Sequence, residues 1–227
     1  SNGAELQRQL DGWLGDVEMK MDRPVRAVIS PHAGYSYSGS TAAFCYQQLD
    51  PSTTRRIFIL GPSHHYYTKG CELPQTKEYE TPLGNLPLDT DVLDALAATG
   101  LFGKMAPDVD EEEHSMELQL PYLAHRMQGH DVKLVPILVG SLGTKAEATF
   151  GKALAPYFED PGNVFVISSD FCHWGKRFRY THYDPEAGEI WQSISALDHM
   201  GMSAIEAGDP ERFASYQKQY ANTICGR

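Results

Sequence analysis

The sequence predicts an α/β domain: a central, mostly parallel or mixed sheet with helices on both faces. Three observations carry that reading. Four short apolar, β-branched runs each end in Gly, Pro, Ser or Asp, and segments of helical periodicity lie between them. The two kinds alternate along the chain. The strand runs are also nearly continuous in hydrophobicity instead of alternating, as expected for strands covered on both faces.

Taken in order, Leu6 to Leu14 reads as an opening helix and Ala27-Val28-Ile29-Ser30 as the first strand. Ser40 to Leu49 follows as a helix, and Ile57-Phe58-Ile59-Leu60 as the second strand. Tyr66 to Asp89, with three prolines and two glycines, reads as an extended excursion with one hairpin, placed to act as a lid. Asp91 to Ala98 sets Val92, Leu93, Leu96 and Ala97 on one helical face. Met116 to Met127 is helical in pattern, with Pro121 either starting or kinking it. Lys133 to Val139 is the third strand, Glu147 to Phe158 a helix, Asn163 to Ser168 the fourth strand, and Glu189 to Ile205 a further helix. No repeat or linker divides the chain, so residues 1–227 are expected to form a single α/β domain.

Composition narrows the function classes. The 227 residues carry 19 Lys and Arg against 30 Asp and Glu, a net charge of -11, which repels nucleic acid and anionic lipid as bulk partners. No apolar run approaches the ~18 residues of a membrane span. No charged segment followed by an apolar one marks a secretory signal at Ser1-Asn2-Gly3. Four scattered cysteines without a CxxC pair read as reduced thiols in a reducing compartment.

The chemistry concentrates after strands. His32 follows the first strand in Ser30-Pro31-His32-Ala33-Gly34-Tyr35, and His64 follows the second in Gly61-Pro62-Ser63-His64-His65. Ligands of open α/β sheets bind outside the carboxyl ends of the strands, so topology directs both histidines to one edge. The fourth strand delivers Asp170 and His173 there, set to share a side if Ser168 to Trp174 turns helically, although Asp170 also suits a helix cap. Imidazole with an open position suits Zn, Fe, Cu or Ni, and two histidines with a carboxylate suit non-haem iron. Of the neighbours His64 and His65 only one is needed, and His125, His130 and His199 read as structural. Asp108, Asp110, Glu111, Glu112 and Glu113 read as a solvated acidic face, with His114 after them as a supporting or general-acid residue. Cys225 as thiolate is a soft ligand, whereas Cys45 and Cys71 read as inert. Arg55, Arg56 and Arg177, the last among Phe178 and Tyr180, are candidates for phosphate or phosphotyrosine. No GxSxG, P-loop or GxGxxG is present, which disfavours hydrolase, NTPase and dinucleotide chemistry.

Five strings together resemble the Memo family, mediators of ErbB-driven cell motility. They are Ser30 to Tyr35, Arg55 to His65, Glu113-His114-Ser115, Ser168 to Gly175, and Asn222-Thr223-Ile224-Cys225-Gly226-Arg227. The resemblance implies the fold of LigB-type extradiol dioxygenases. It implies one copper or iron ion held by His32, His64 and Cys225, with Asp170, His173 and His65 lining the pocket and His114, His173 and Asp170 as candidate catalytic groups. A thiolate stands where the dioxygenases place a carboxylate, which shifts ligand softness and separates this site from assured dioxygenase activity. The resemblance further implies a cytoplasmic and also nuclear protein relaying receptor tyrosine kinase signals to the cytoskeleton. Its expected partners are a receptor phosphopeptide or its adaptor, and cytoskeletal signalling proteins. Two alternatives stand beside it: a LigB-like non-haem iron oxidoreductase acting on a small aromatic, and a phosphotyrosine-peptide module without metal. Family members carry a further N-terminal segment and continue beyond Cys-Gly-Arg, so this chain is expected to be incomplete at both ends.

Overall fold

The computed structural model describes residues 2–18 and 21–226. The chain divides into two compact units, one running to Ser169 and including Gly226, the other Asp170–Cys225.

The first unit contains α1 (Gly3–Gly15), β1 (Ala27–Ser30), α2 (Tyr35–Tyr46), β2 (Arg56–Pro62), β3 (Cys71–Leu73), β4 (Glu78–Tyr79) and β5 (Leu86–Pro87). It continues with α3 (Thr90–Ala98), β6 (Gly103–Lys104), α4 (Pro107–Glu112), α5 (His114–Glu117), α6 (Leu120–Arg126), β7 (Lys133–Val139), α7 (Thr144–Glu159) and β8 (Asn163–Ser168). Six strands form one sheet in the order β1-β8-β2-β7-β3-β6, and β4 pairs with β5 in a hairpin. Four neighbouring strands, β1, β8, β2 and β7, are parallel, with Ser30 opposite Ser168 and Pro62 opposite Val139, so their carboxyl ends share an edge. β3 pairs antiparallel with β7 and parallel with β6, so these two short strands run opposite to the other four.

Side chains alternate across this sheet into two cores. Ile57, Ile59, Leu134, Leu138, Val164 and Val166 pack with Leu10, Leu14, Ala43, Tyr46 and Leu123 of α1, α2 and α6. Phe58, Val135, Ile137 and Phe165 face the other way, onto Leu93 and Leu96 of α3 and Phe150 and Leu154 of α7. Both faces are therefore covered, which is why these strands read as continuous apolar runs.

A proline in the middle of β7 needs a reason, because it brings no N–H to a ladder. The Leu134 carbonyl accepts from Asp89 N, so by the two-residue strand period Pro136 faces the same side as Leu134. On that side β3 pairs only with Leu138 and Val139, so no ladder bond is interrupted at Pro136.

The expected helix from Met116 to Met127 is two helices: α5 ends at Glu117, and Pro121 occupies the first turn of α6. The expected hairpin in Tyr66 to Asp89 is β4 with β5, while β3 and β6, too short to make an apolar run, escaped the pattern. The second unit comprises 3-10 turns at Lys176–Phe178 and Pro185–Ala187, then α8 (Ile190–Glu206) and α9 (Pro210–Tyr220), packed through Leu197, Ala204, Tyr216 and Ile224. Among the described residues no helix is long and apolar enough to cross a membrane.

Candidate functional site

Parallel pairing brings the loops after β1 and β2 to one edge, and there the first unit gathers three imidazoles. Ring centroids lie 5.0 Å apart for His32 and His64, 5.5 Å for His32 and His114, and 4.3 Å for His64 and His114. His32 is buried at 2% exposure, whereas the side chains of His64 and His114 are 25% and 41% exposed. His65 is exposed, its ring 6.1 Å from that of His114.

Glu113 overturns the reading of a solvated acidic face. It is 2% exposed, and its carboxylate accepts from His64 Nδ1 at 2.8 Å, from His64 N at 2.7 Å and from Ser115 N at 2.9 Å. Burial alone would raise its pKa, but these hydrogen bonds outweigh it and hold the carboxyl at about 2. Asp110, in the same run, is also drawn inward: it accepts from the Tyr79 hydroxyl at 2.5 Å, and burial pushes its pKa up. One ligand atom each from His64, Glu113 and His114 lie within 4.8 Å of one another.

Gly61 makes this approach possible. A Cβ there would stand 2.6 Å from Ser115 Oγ and 2.7 Å from Met116 Cγ, so only glycine lets α5 rest on the end of β2. Ser115 Oγ then donates to the Pro62 carbonyl at 2.9 Å. On the β1 side, His32 Nδ1 lies 2.7 Å from Ser168 Oγ, and Ser168 Oγ donates to the Ser115 carbonyl at 2.6 Å. Gly226, with φ +73°, packs against Pro62, where its Cβ position is 3.4 Å from Pro62 Cβ.

In the second unit, residues 170–174 form no helical turn, so Asp170 caps no helix and does not share a helical face with His173. Instead the Asp170 carbonyl accepts from Cys225 N at 2.9 Å. His173 and Thr223 pair reciprocally. His173 N donates to Thr223 Oγ1 at 2.8 Å, Thr223 Oγ1 donates to the His173 carbonyl at 3.0 Å, and His173 Nδ1 donates to the Thr223 carbonyl at 2.8 Å. Cys225 Sγ lies 3.9 Å from His173 Nε2. Ala221, at φ +48°, turns the chain sharply out of α9 into this segment. Asp198 of α8 secures it further, accepting from Asn222 Nδ2 at 2.8 Å and from Cys172 N at 3.3 Å. Arg227, the end of the motif, lies outside the described residues.

Sequence reasoning missed Glu113, Ser115, Ser168 and Asp198 as supports. The available signals were the Glu-His-Ser string itself and a serine ending an otherwise apolar strand. The arginines stand elsewhere. Arg55 and Arg56 lie at the amino end of β2, opposite to the histidine loops, and pair with Asp160 at 2.8 Å and Asp89 at 2.5 Å, respectively. Arg177 stacks over Phe178 at 5.8 Å. Burial pushes the thiols of Cys45 and Cys71 up to about 11 and about 12, in keeping with inert cysteines, and that of Cys172 to about 11.

Comparison with known proteins places these motifs in context. Residues 1–227 match the family described as Memo-like protein. The chain is 54% identical to Protein MEMO1 of Xenopus laevis and 52% identical to Protein MEMO1 of Homo sapiens, in each case over all of this chain and 77% of the relative. It is 46% identical to the Protein memo-1 homolog of Caenorhabditis elegans, over all of this chain and 65% of that relative.

Proposed function

The chain belongs to the Memo family, and on that footing we propose that it mediates receptor tyrosine kinase signalling to the cytoskeleton and binds one redox-active metal ion. The ion is copper or iron, and His32, His64 and Cys225 hold it. The observation that carries the metal reading is the pair of imidazoles 5.0 Å apart at the carboxyl edge of the sheet, each engaged through Nδ1 by a hydroxyl or a carboxylate. Metal-ligating histidines are held in this way, by an outer partner on the nitrogen that does not bind. Cys225 joins them on the strength of the family motif.

The donor set fits such an ion, since two imidazoles and a thiolate suit copper and iron better than a hard cation. A bound copper or iron supplies one-electron chemistry. The chain's own residues orient the ligands: Glu113 and Ser168 fix the imidazoles, while Thr223 and Asp170 hold the backbone around Cys225. The protein acts in the cytoplasm and nucleus, with a receptor phosphopeptide or adaptor and cytoskeletal signalling proteins as partners. His114, 4.3 Å from the His64 ring and partly exposed, gives a second reading its support: a LigB-like oxidoreductase with His114 as acid or base. The phosphotyrosine module without metal draws no support from Arg55 and Arg56, which pair with Asp160 and Asp89.

The test is elemental mass spectrometry of anaerobically purified protein beside His32→Ala and Cys225→Ser. About one equivalent of copper or iron, by one ion per site, lost in both variants, is the expected result. Metal retained at full stoichiometry in Cys225→Ser removes the thiolate from the set. Oxygen consumption with a catechol separates the second reading from the first.

A further inference from the structure

Two hydrogen-bonded supports, one under each imidazole, meet at a single residue. Ser115 N donates to Glu113 Oε1, and the Ser115 carbonyl accepts from Ser168 Oγ. Glu113 in turn engages His64 Nδ1, and Ser168 Oγ engages His32 Nδ1. The Glu113-His114-Ser115 string thus reaches both rings.

The donor and acceptor roles along this path are fixed by elimination. Gln119 Nε2 faces the carbonyls of Pro31 and Ser115, at 3.1 and 3.3 Å, which only accept, so that atom is the amide nitrogen. An amide NH2 accepts nothing, so it does not take the proton of Ser168 Oγ, 3.1 Å away. Ser168 has one proton, and the Ser115 carbonyl, an acceptor only, takes it. The remaining partner of Ser168 Oγ, His32 Nδ1, must then be a donor. For His64 the acceptor is a carboxylate, so its Nδ1 is a donor as well. In both neutral rings the lone pair resides on Nε2.

We propose that Glu113 and Ser168, linked through Ser115, are positioning residues that hold His64 and His32 in the Nδ1–H tautomer and turn both Nε2 lone pairs to the metal. The proposal deepens the metal reading and rests on it for its purpose, while the tautomers themselves are observable without any metal. It also makes an asymmetric claim: each support governs its own ring. Glu113 is the stricter of the two, because both of its oxygens are in use. Replaced by an amide, the NH2 would stand either against His64 N–H, at the Oε2 place, or against His64 Nδ1–H and Ser115 N–H together, at the Oε1 place. The second arrangement forces the proton to Nε2.

The experiment is long-range proton–nitrogen NMR of the histidine rings in the metal-free full chain, at a pH where the imidazoles are neutral, followed by Zn(II) titration. Expected in the unaltered protein are protonated Nδ1 signals for both His32 and His64. Glu113→Gln moves His64 toward Nε2–H and leaves His32 alone; Ser168→Ala does the reverse, and Ser168→Thr, which keeps the hydroxyl, restores His32. Zn(II) affinity falls about 10- to 100-fold in Glu113→Gln and Ser168→Ala, the usual cost of losing an outer partner. An Nε2–H tautomer at either ring in the unaltered protein overturns the proposal, and that spectrum decides it even if a variant fails to fold. An unmoved His32 tautomer in folded Ser168→Ala also overturns it. Protonated Nδ1 signals that respond as expected, in a chain that binds neither Zn(II) nor copper nor iron, support the positioning and instead sink the metal reading.

Discussion

His64 in the first unit and His173 in the second each engage Nδ1 in a hydrogen bond of 2.8 Å, yet the acceptors differ in kind. His64 meets a buried carboxylate held by α5 against the end of β2, whereas His173 meets the backbone carbonyl of Thr223, in an irregular segment after α9. A carboxylate acceptor raises the basicity of the imidazole as well as orienting it; a carbonyl chiefly orients. The mounts differ too. The first rests on a sheet with a core on each face, and the second on a small cluster around Leu197, Tyr216 and Ile224. Precise ligand geometry calls for rigid supporting elements, and the first unit supplies more of them.

The largest effect that would sharpen this contrast comes from the sheet. Phe58→Ala, at a fully buried position stacked on Phe165, is expected to cost about 3–5 kcal/mol in denaturant unfolding. Amides of β2 and β8 should then exchange faster, while those of Thr223 to Cys225, expected to exchange by local opening, should change little. Equal acceleration at both would erase the distinction. Gly61→Ala comes next, at about 1–3 kcal/mol, because the new methyl meets Ser115 and Met116. It should shift the His64 ring signals and leave those of His173 in place.

On the second unit, Thr223→Val removes a hydroxyl that both donates to and accepts from the His173 backbone. The expected loss is about 1 kcal/mol, with faster exchange at His173 N and Cys225 N. No change in protection there would mean that the hydroxyl pair does not brace this loop.

The smallest effect is one of pH. Burial raises the pKa of Asp198, against hydrogen bonds from Asn222 and Cys172 that lower it. A carboxyl with a raised folded pKa stabilises most below its unfolded value, near about 4, and that contribution is lost as pH rises through the folded value. Asp198→Asn keeps an oxygen for both donors and has no such loss, so its stability relative to the unaltered chain should rise with pH across that window and then level off. A relative stability that falls over the same range would contradict the assigned direction.

Much of this was legible in the chain itself. The bounds of β1, β7 and β8 coincide with apolar runs, because a strand buried on both faces has no polar side to blur its limits. His32 and His64 were placed by strand topology alone. Glu113 was misread for a definite reason: a run of acidic residues before a helix has the composition of a solvated face, and nothing local distinguishes the carboxylate that turns inward. Ser168 and Asp198 were invisible in the same way, since their partners Ser115 and Asn222 lie 53 and 24 residues away in the chain.

The sequence by itself determined the α/β architecture, the family and the sheet edge at which the histidines gather. Hydrophobic periodicity, turn residues and motif strings are local, and local signals fix which elements form and what their loops carry. Only the tertiary structure decided which oxygen meets which imidazole nitrogen, and why Gly61 must lack a side chain. Those outcomes depend on contacts between residues distant in the chain, where a few tenths of an ångström separate a hydrogen bond from a clash.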